Sequence, residues 1–223
     1  MGIADQIREI QDGLPQGVCL VAVSKTKPTG DILEAYRGGQ RVFGENKVQE
    51  LVQKYDELPK DIEWHFIGHL QTNKVKYIAP FVRLIHGVDS LKLLTTIDKE
   101  GRKNNRKIDC LLQFHIAEEE TKFGLNLDEA RELLSSEDFA ALGFVTIRGV
   151  MGMATFTGDE QQIRKEFQQL KNIFGQIKQE FFGGQDSFSE ISMGMSGDYL
   201  IAAEEGSTMV RIGSSIFGER QYH

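Results

Sequence analysis

The 223-residue chain has two cysteines, one tryptophan and four prolines. Cys19 and Cys110 stand far apart and form no C-x-x-C pair. That excludes a disulfide scaffold and predicts two buried free thiols in a reducing compartment. No apolar run approaches the ~18 residues of a membrane span. The start, Met1-Gly2-Ile3-Ala4-Asp5-Gln6, has no charged segment leading into an apolar one, so no secretory leader is expected. Gly2 is placed for myristoylation, but Gln6 stands where Ser or Thr is needed. A cytoplasmic protein with no membrane partner is expected. Basic charge is also short: 26 Lys and Arg against 33 Asp and Glu, a net charge of −7. A nucleic-acid binder would need a basic stripe, so no nucleic-acid partner is expected. A small anion can still be held by local potential. There is no Pro/Gly/Ser-rich linker, charge block or sharp internal repeat. One domain over residues 1–223, large enough for a core without staples, is expected.

What is present is alternation. Eight short runs rich in Val, Ile and Phe cover residues 18–24, 41–44, 63–68, 84–88, 108–116, 146–154, 188–193 and 209–217. Helical patterns lie between them. The clearest spans 159–181, where Ile163, Phe167, Leu170, Phe174, Ile177 and Phe181 step by fours and threes along one face. Asp159 is placed to cap it, and Asn126 or Asp128 to cap a shorter helix over 127–134. Residues 3–10 read as an extra N-terminal helix. Strands alternating with helices pair in parallel through right-handed crossovers, and near-continuous apolar strands are covered on both faces. Eight units of roughly 28 residues predict an α/β fold, a single (β/α)8 TIM-type barrel. An open doubly wound sheet is the alternative.

Barrel chemistry belongs at the C-terminal ends of the strands. Lys25 directly follows Val18-Cys19-Leu20-Val21-Ala22-Val23-Ser24. A lysine dried by its own strand keeps a free amine, the form that makes Schiff bases with aldehydes. Lys27 reads as its solvated neighbour. Ser196-Gly197 after the seventh run and Gly213-Ser214, where the strand carrying Arg211 ends, offer backbone N–H groups and hydroxyls, the usual place for a barrel phosphate site across the mouth from Lys25. Arg211 sits between Val210 and Ile212, where a guanidinium needs a buried partner or an outward path. No P-loop, G-x-G-x-x-G or H-E-x-x-H is present, and His65, His69, His86 and His115 lack metal-ligand spacing. Glu118-Glu119-Glu120 reads as a solvated charge run.

Several stretches resemble a known family, the pyridoxal phosphate homeostasis proteins, which are barrels of the alanine racemase N-terminal type. They are Ala22-Val23-Ser24-Lys25-Thr26-Lys27-Pro28, Phe43-Gly44-Glu45-Asn46-Lys47-Val48-Gln49-Glu50 and Trp64-His65-Phe66-Ile67-Gly68-His69-Leu70-Gln71-Thr72-Asn73-Lys74. Two more are Ser192-Met193-Gly194-Met195-Ser196-Gly197-Asp198 and residues 206–218. The resemblance implies pyridoxal 5'-phosphate (PLP) as cofactor and Lys25 as its Schiff-base lysine. It implies Ser196, Gly213 and Ser214 as phosphate ligands and Arg211 opposite the pyridine nitrogen. It places Asn46, His65, Ser192 and Met193 along the cofactor pocket. His115 departs from the family, which more often has Asn there.

A PLP lysine usually means an enzyme. In related barrels, however, an arginine beside the pyridine nitrogen disfavours its protonation and weakens the cofactor as an electron sink. Racemization also needs a second acid/base on the opposite face. In the resembling racemases that tyrosine comes from an added β-domain and a partner subunit, which a chain ending at His223 is expected to lack. Tyr36, Tyr55, Tyr77, Tyr199 and Tyr222 carry no motif for the role. The expected function is PLP binding and vitamin B6 homeostasis by a monomer without robust catalysis, with PLP-dependent apoenzymes as recipients. The alternatives are an amino-acid racemase or other weak PLP enzyme, and a barrel for another phosphorylated metabolite.

Overall fold

The computed structural model describes residues 2–118 and 123–219. Its strands are β1 (Cys19–Val23), β2 (Val42–Glu45), β3 (Glu63–Phe66), β4 (Leu84–Val88), β5 (Ile108–Gln113), β6 (Val145–Met151), β7 (Glu190–Met195) and β8 (Met209–Ile212). All neighbours pair in parallel, and β8 closes on β1 to complete the barrel. The TIM-type reading therefore holds and the open sheet falls. The eighth apolar run is shorter than its composition implied. The strand stops at Ile212, and the rest forms a one-turn helix.

The crossovers are helical: α1 (Ile3–Gly13) precedes the barrel, followed by α2 (Thr29–Arg37), α3 (Val48–Glu57), α4 (Val75–Ile78), α5 (Leu91–Lys103), α6 (Leu127–Ser135), α7 (Glu137–Ala140), α8 (Glu160–Phe181), α9 (Tyr199–Glu204) and α10 (Ser214–Phe217). The predicted caps are present. Asp159 accepts from the N–H groups of Gln161 and Gln162 at the head of α8. Asn126 and Glu129 form a reciprocal capping box on α6. The added helix α1 packs on α2 and α10 through Ile7 and Ile10.

Strand side chains alternate between two cores. Val21, Leu84, Leu111, Met151 and Met209 fill the barrel interior. Leu20, Ala22, Phe43, Trp64, Phe66, Ile85, Cys110, Leu112, Val150, Met193, Val210 and Ile212 join the larger core between barrel and helices. This parity decides where each polar residue points. On β8, Met209 and Arg211 share the inner side. On β1, the inward series Cys19, Val21, Val23 continues to Lys25. The ladder slips within β7 between Ser192 and Met195. It slips again between β5 and β6, where Gly149 has φ +154° and a Cβ would lie 1.8 Å from the Glu190 carbonyl oxygen. No helix among the described residues is long and apolar enough to cross a membrane.

Candidate functional site

A cavity of about 750 Å³ opens at the C-terminal mouth of the barrel. Val23, Lys25, Asn46, Ile67, Gln113 and Met151 contribute to its wall, and Ser196, Arg211 and Gly213–Ser215 lie along the side formed by strands seven and eight. Closure of the barrel corrects one expectation. Because β8 pairs with β1, the Gly213–Ser214 loop is beside the Lys25 strand and not across the mouth from it. Lys25 is half-buried.

The loop after β8 is pressed against β1. A Cβ on Gly213 would meet the Val23 carbonyl oxygen at 3.1 Å. The Gly213 N–H donates to Ser196 Oγ at 3.2 Å, so the ends of β7 and β8 already share a donor and a hydroxyl. Ser214 and Ser215 begin α10, where the first N–H groups have no intrahelical partner. This rim offers donors to an anion. Opposite it, Gly68 lets two strand ends approach: a Cβ there would lie 2.4 Å from the Asn46 carbonyl oxygen.

Lys27 lines the same cavity but is not the solvated neighbour expected. Its Nζ donates to the carbonyls of Phe217, Gly218 and Glu219 at 2.7, 3.0 and 3.1 Å, anchoring the end of α10.

Arg211 is 4% exposed. Its Nη1 donates to Ser192 Oγ at 2.5 Å and its Nη2 to the Gly152 carbonyl at 3.1 Å. No carboxylate pairs with it among the described residues. Burial lowers its pKa to about 10, a shift that Asp198 opposes. Ser192 Oγ lies 2.9 Å from His86 Nδ1, and His86 Nε2 lies 3.0 Å from His65 Nδ1. Burial pushes His65 down to about 3, with the Arg83 charge adding to the effect. Burial likewise pushes His86 well below 6.5, aided by His65 and Arg211. Both rings are therefore neutral.

Of the nine predicted site residues, Lys25, Asn46, Ser196, Arg211, Gly213 and Ser214 line the cavity. His65 and Ser192 sit behind Arg211 in the buried chain just described. Met193 faces the helix layer, because strand alternation puts it opposite to Ser192.

Three supporting groups escaped the sequence reading. His86 is the middle of the buried chain, and its spacing of two from inward-facing Leu84 was the available signal. Glu45 accepts from Ser24 Oγ at 2.6 Å and from Lys54 Nζ at 2.7 Å, and Lys54 also donates to the Ser24 carbonyl at 2.8 Å. This cluster braces the turn carrying Lys25. Glu166 lies on the apolar face of α8, between Ile163 and Leu170. It accepts from the Thr155 N–H at 2.6 Å and hydroxyl at 2.7 Å, holding the loop after β6. At the rim, Phe123 stacks on His69 with centroids 4.5 Å apart, and Phe156 is 95% exposed. Glu118 is exposed, and Glu119, Glu120 and Tyr222 lie outside the described residues.

The sequence profile of the alanine racemase N-terminal domain family matches residues 2–221. A pyridoxal phosphate homeostasis protein of Aquifex aeolicus is 41% identical over 204 residues, covering 91% of this chain and 87% of the relative. The chain belongs to the pyridoxal phosphate homeostasis protein family. A pyridoxal phosphate homeostasis protein of Escherichia coli K12 is 37% identical over 215 residues, covering 93% of this chain and 88% of the relative. Among solved structures, PipY of Synechococcus elongatus without PLP superposes with a TM-score of 0.90 at 35% identity, covering 97% of this chain and 100% of PipY. PipY with PLP bound gives 0.87 at 34%, with the same coverage. Alanine racemase of Streptomyces lavendulae shares the fold at 15% identity and a TM-score of 0.80; the match covers 98% of this chain and 57% of the racemase.

Proposed function

We propose that the chain binds PLP at the barrel mouth and serves intracellular PLP homeostasis without robust catalysis. The observation that carries this reading is one shared cavity. The lysine continuing the inward side of β1, the Gly213–Ser215 and Ser196 donors, and an arginine with no carboxylate partner among the described residues all line it. When bound, PLP supplies an aldehyde that condenses with a lysine amine, forming a C=N bond and releasing water.

The residues present fit that group. Lys25 is the amine. Ser214, Ser196 and the Gly213 N–H, which would turn from Ser196 Oγ to the ligand, would hold the phosphate, and the cramped contact of Gly213 with Val23 favours a residue without a side chain. Arg211 would face the ring nitrogen, and because arginine is a donor only it would favour a ring nitrogen that keeps its lone pair. Asn46, at the end of the neighbouring strand β2, lines the same cavity. A ring nitrogen left unprotonated makes a poor electron sink.

The non-catalytic part of this reading is supported by the relatives, which are named as homeostasis proteins and not as enzymes. Among the described residues, no tyrosine lines the cavity. Tyr36 instead donates to Asp61 at 2.8 Å on an exposed surface. We place the protein in the cytoplasm, a reading favoured by the unpaired thiols of Cys19 and Cys110. We treat residues 1–223 as one PLP-binding domain, acting as a monomer with PLP-dependent apoenzymes as recipients.

Absorbance after adding PLP tests the reading. A new visible band is expected, fixed by borohydride as a mass increase on Lys25, and Lys25→Ala is expected to lose both while keeping its unfolding midpoint. A protein that stays colourless overturns the reading in favour of another phosphorylated metabolite. Rapid racemization of L-amino acids, lost in Lys25→Ala, overturns the non-catalytic part.

A further inference from the structure

Donor accounting gives the buried chain a direction. Arginine only donates, so Ser192 Oγ accepts from Arg211. The hydroxyl then has one proton to give, and its other polar partner is His86 Nδ1. A neutral imidazole carries one N–H, so that of His86 is on Nε2 and points to His65 Nδ1. Every link therefore donates away from the cavity, through Ser192 on β7 and His86 on β4 to His65 on β3. The two tautomers follow from this network of hydrogen bonds.

We propose that His86 is a positioning residue: through Ser192 it fixes the guanidinium of Arg211 so that its remaining N–H groups are aimed at an unprotonated aromatic nitrogen. This rests on the PLP reading of the cavity and specifies which feature of the ligand the buried chain recognises. Two of the arginine's N–H groups are spent on Ser192 and Gly152, and the others have no protein partner among the described residues. A hydroxyl that accepts from a cation and passes its own proton onward polarises the whole row. A protonated His86 would set donor against donor at Ser192. Burial, the His65 ring and the Arg211 charge all oppose that state. The other charge bearing on the pair is Arg83, which acts on His65, and it also favours neutrality. The role needs no contact between either histidine and the ligand, consistent with neither lining the cavity.

The test compares two probes on the full chain: PLP, and its 1-deaza analogue in which C–H replaces the ring nitrogen. Dissociation constants are read by titration, and the unfolding midpoint of each ligand-free variant is read alongside. His86→Leu is expected to weaken PLP about tenfold, the loss of one hydrogen bond's support to a charged group. Binding of the deaza analogue stays as in the unaltered protein. Ser192→Ala breaks the same row with a smaller change of volume, keeps the test open if His86→Leu does not fold, and is expected to show the same selectivity. His86→Asn, which can return an acceptor near the Nδ1 position, is expected to restore most of the PLP affinity. Equal weakening of both probes, or weakening of neither, overturns the inference while leaving the PLP site standing. An unaltered protein that takes up neither probe overturns the site reading and this inference with it.

Discussion

Lys54 Nζ lies 2.7 Å from Glu45 Oε1, and both side chains are shut away from water. The pair joins α3 to β2, and its second bond, to the Ser24 carbonyl, fixes the residue just before Lys25. The other oxygen, Glu45 Oε2, has no hydrogen-bond partner among the described residues. Burial raises the Glu45 pKa, and the Lys54 charge and hydrogen bonds pull it back. The charge pair thus serves geometry more than stability.

Removing one member strands the other. Lys54→Met is expected to destabilise the protein by about 3–5 kcal/mol, the usual result of leaving a buried charge alone. Lys54→Met combined with Glu45→Leu is expected to recover most of that loss. Urea unfolding of the two single variants and the double variant closes the cycle. A loss below about 1 kcal/mol in Lys54→Met would mean that water or repacking replaces the amine.

Arg211 presents the opposite trade. It is held in the barrel interior by two neutral partners, with no paired anion among the described residues. Arg211→Met is expected to stabilise the ligand-free protein by about 1 kcal/mol, as buried charges replaced by apolar groups of similar volume often do. The same change is expected to weaken PLP by about 1–3 kcal/mol through the lost ring contact. Paired thermal melts and titrations check both. A less stable ligand-free variant with undiminished affinity would assign the arginine to structure alone.

The neutral histidines make stability fall with acid. His65 titrates at about 3 in the folded protein, against 6.5 for an ordinary histidine. Between those values the unfolded chain binds a proton that the folded one does not, so stability rises with pH there. His86 has the same sign. Each contributes a slope of up to about 1.4 kcal/mol per pH unit below 6.5. Glu45, whose pKa burial raises above 4.5, works the other way just above that value. Urea midpoints are expected to drop from pH 7 to pH 5, and less steeply in His65→Gln. Identical slopes in the two proteins would show that His65 is charged in the fold.

The barrel was legible because its evidence is periodic. Apolar runs mark strands, and steps of three and four mark α8. Lys25 was legible because it directly follows the first run, and Ser196, Gly213 and Ser214 because turn glycines and serines mark the ends of the last two strands, where side chains and N–H groups turn toward the mouth; Asn46 was legible through the resemblance. Residues inside strands needed more. Ser192 and Met193 are adjacent, yet alternation sends one inward and the other into the helix layer, and the slip within β7 makes counting from a distant strand unsafe. His86 and His65 are 21 positions apart and meet only because β3 and β4 are neighbours. Lys27 looked solvated because its acceptors, residues 217–219, are nearly the whole chain away.

The circle of strands has one seam where the chain's beginning meets its end, between β1 and β8. Lys27 already stitches it from outside the strand ladder. A ligand gripped by Lys25 on one margin and Gly213–Ser214 on the other is a second clasp. Cofactor occupancy and resistance to opening then rise together, by the mass-action term that rewards any molecule binding the native state alone. The unfolding midpoint of the protein would then climb with the concentration of free cofactor around it.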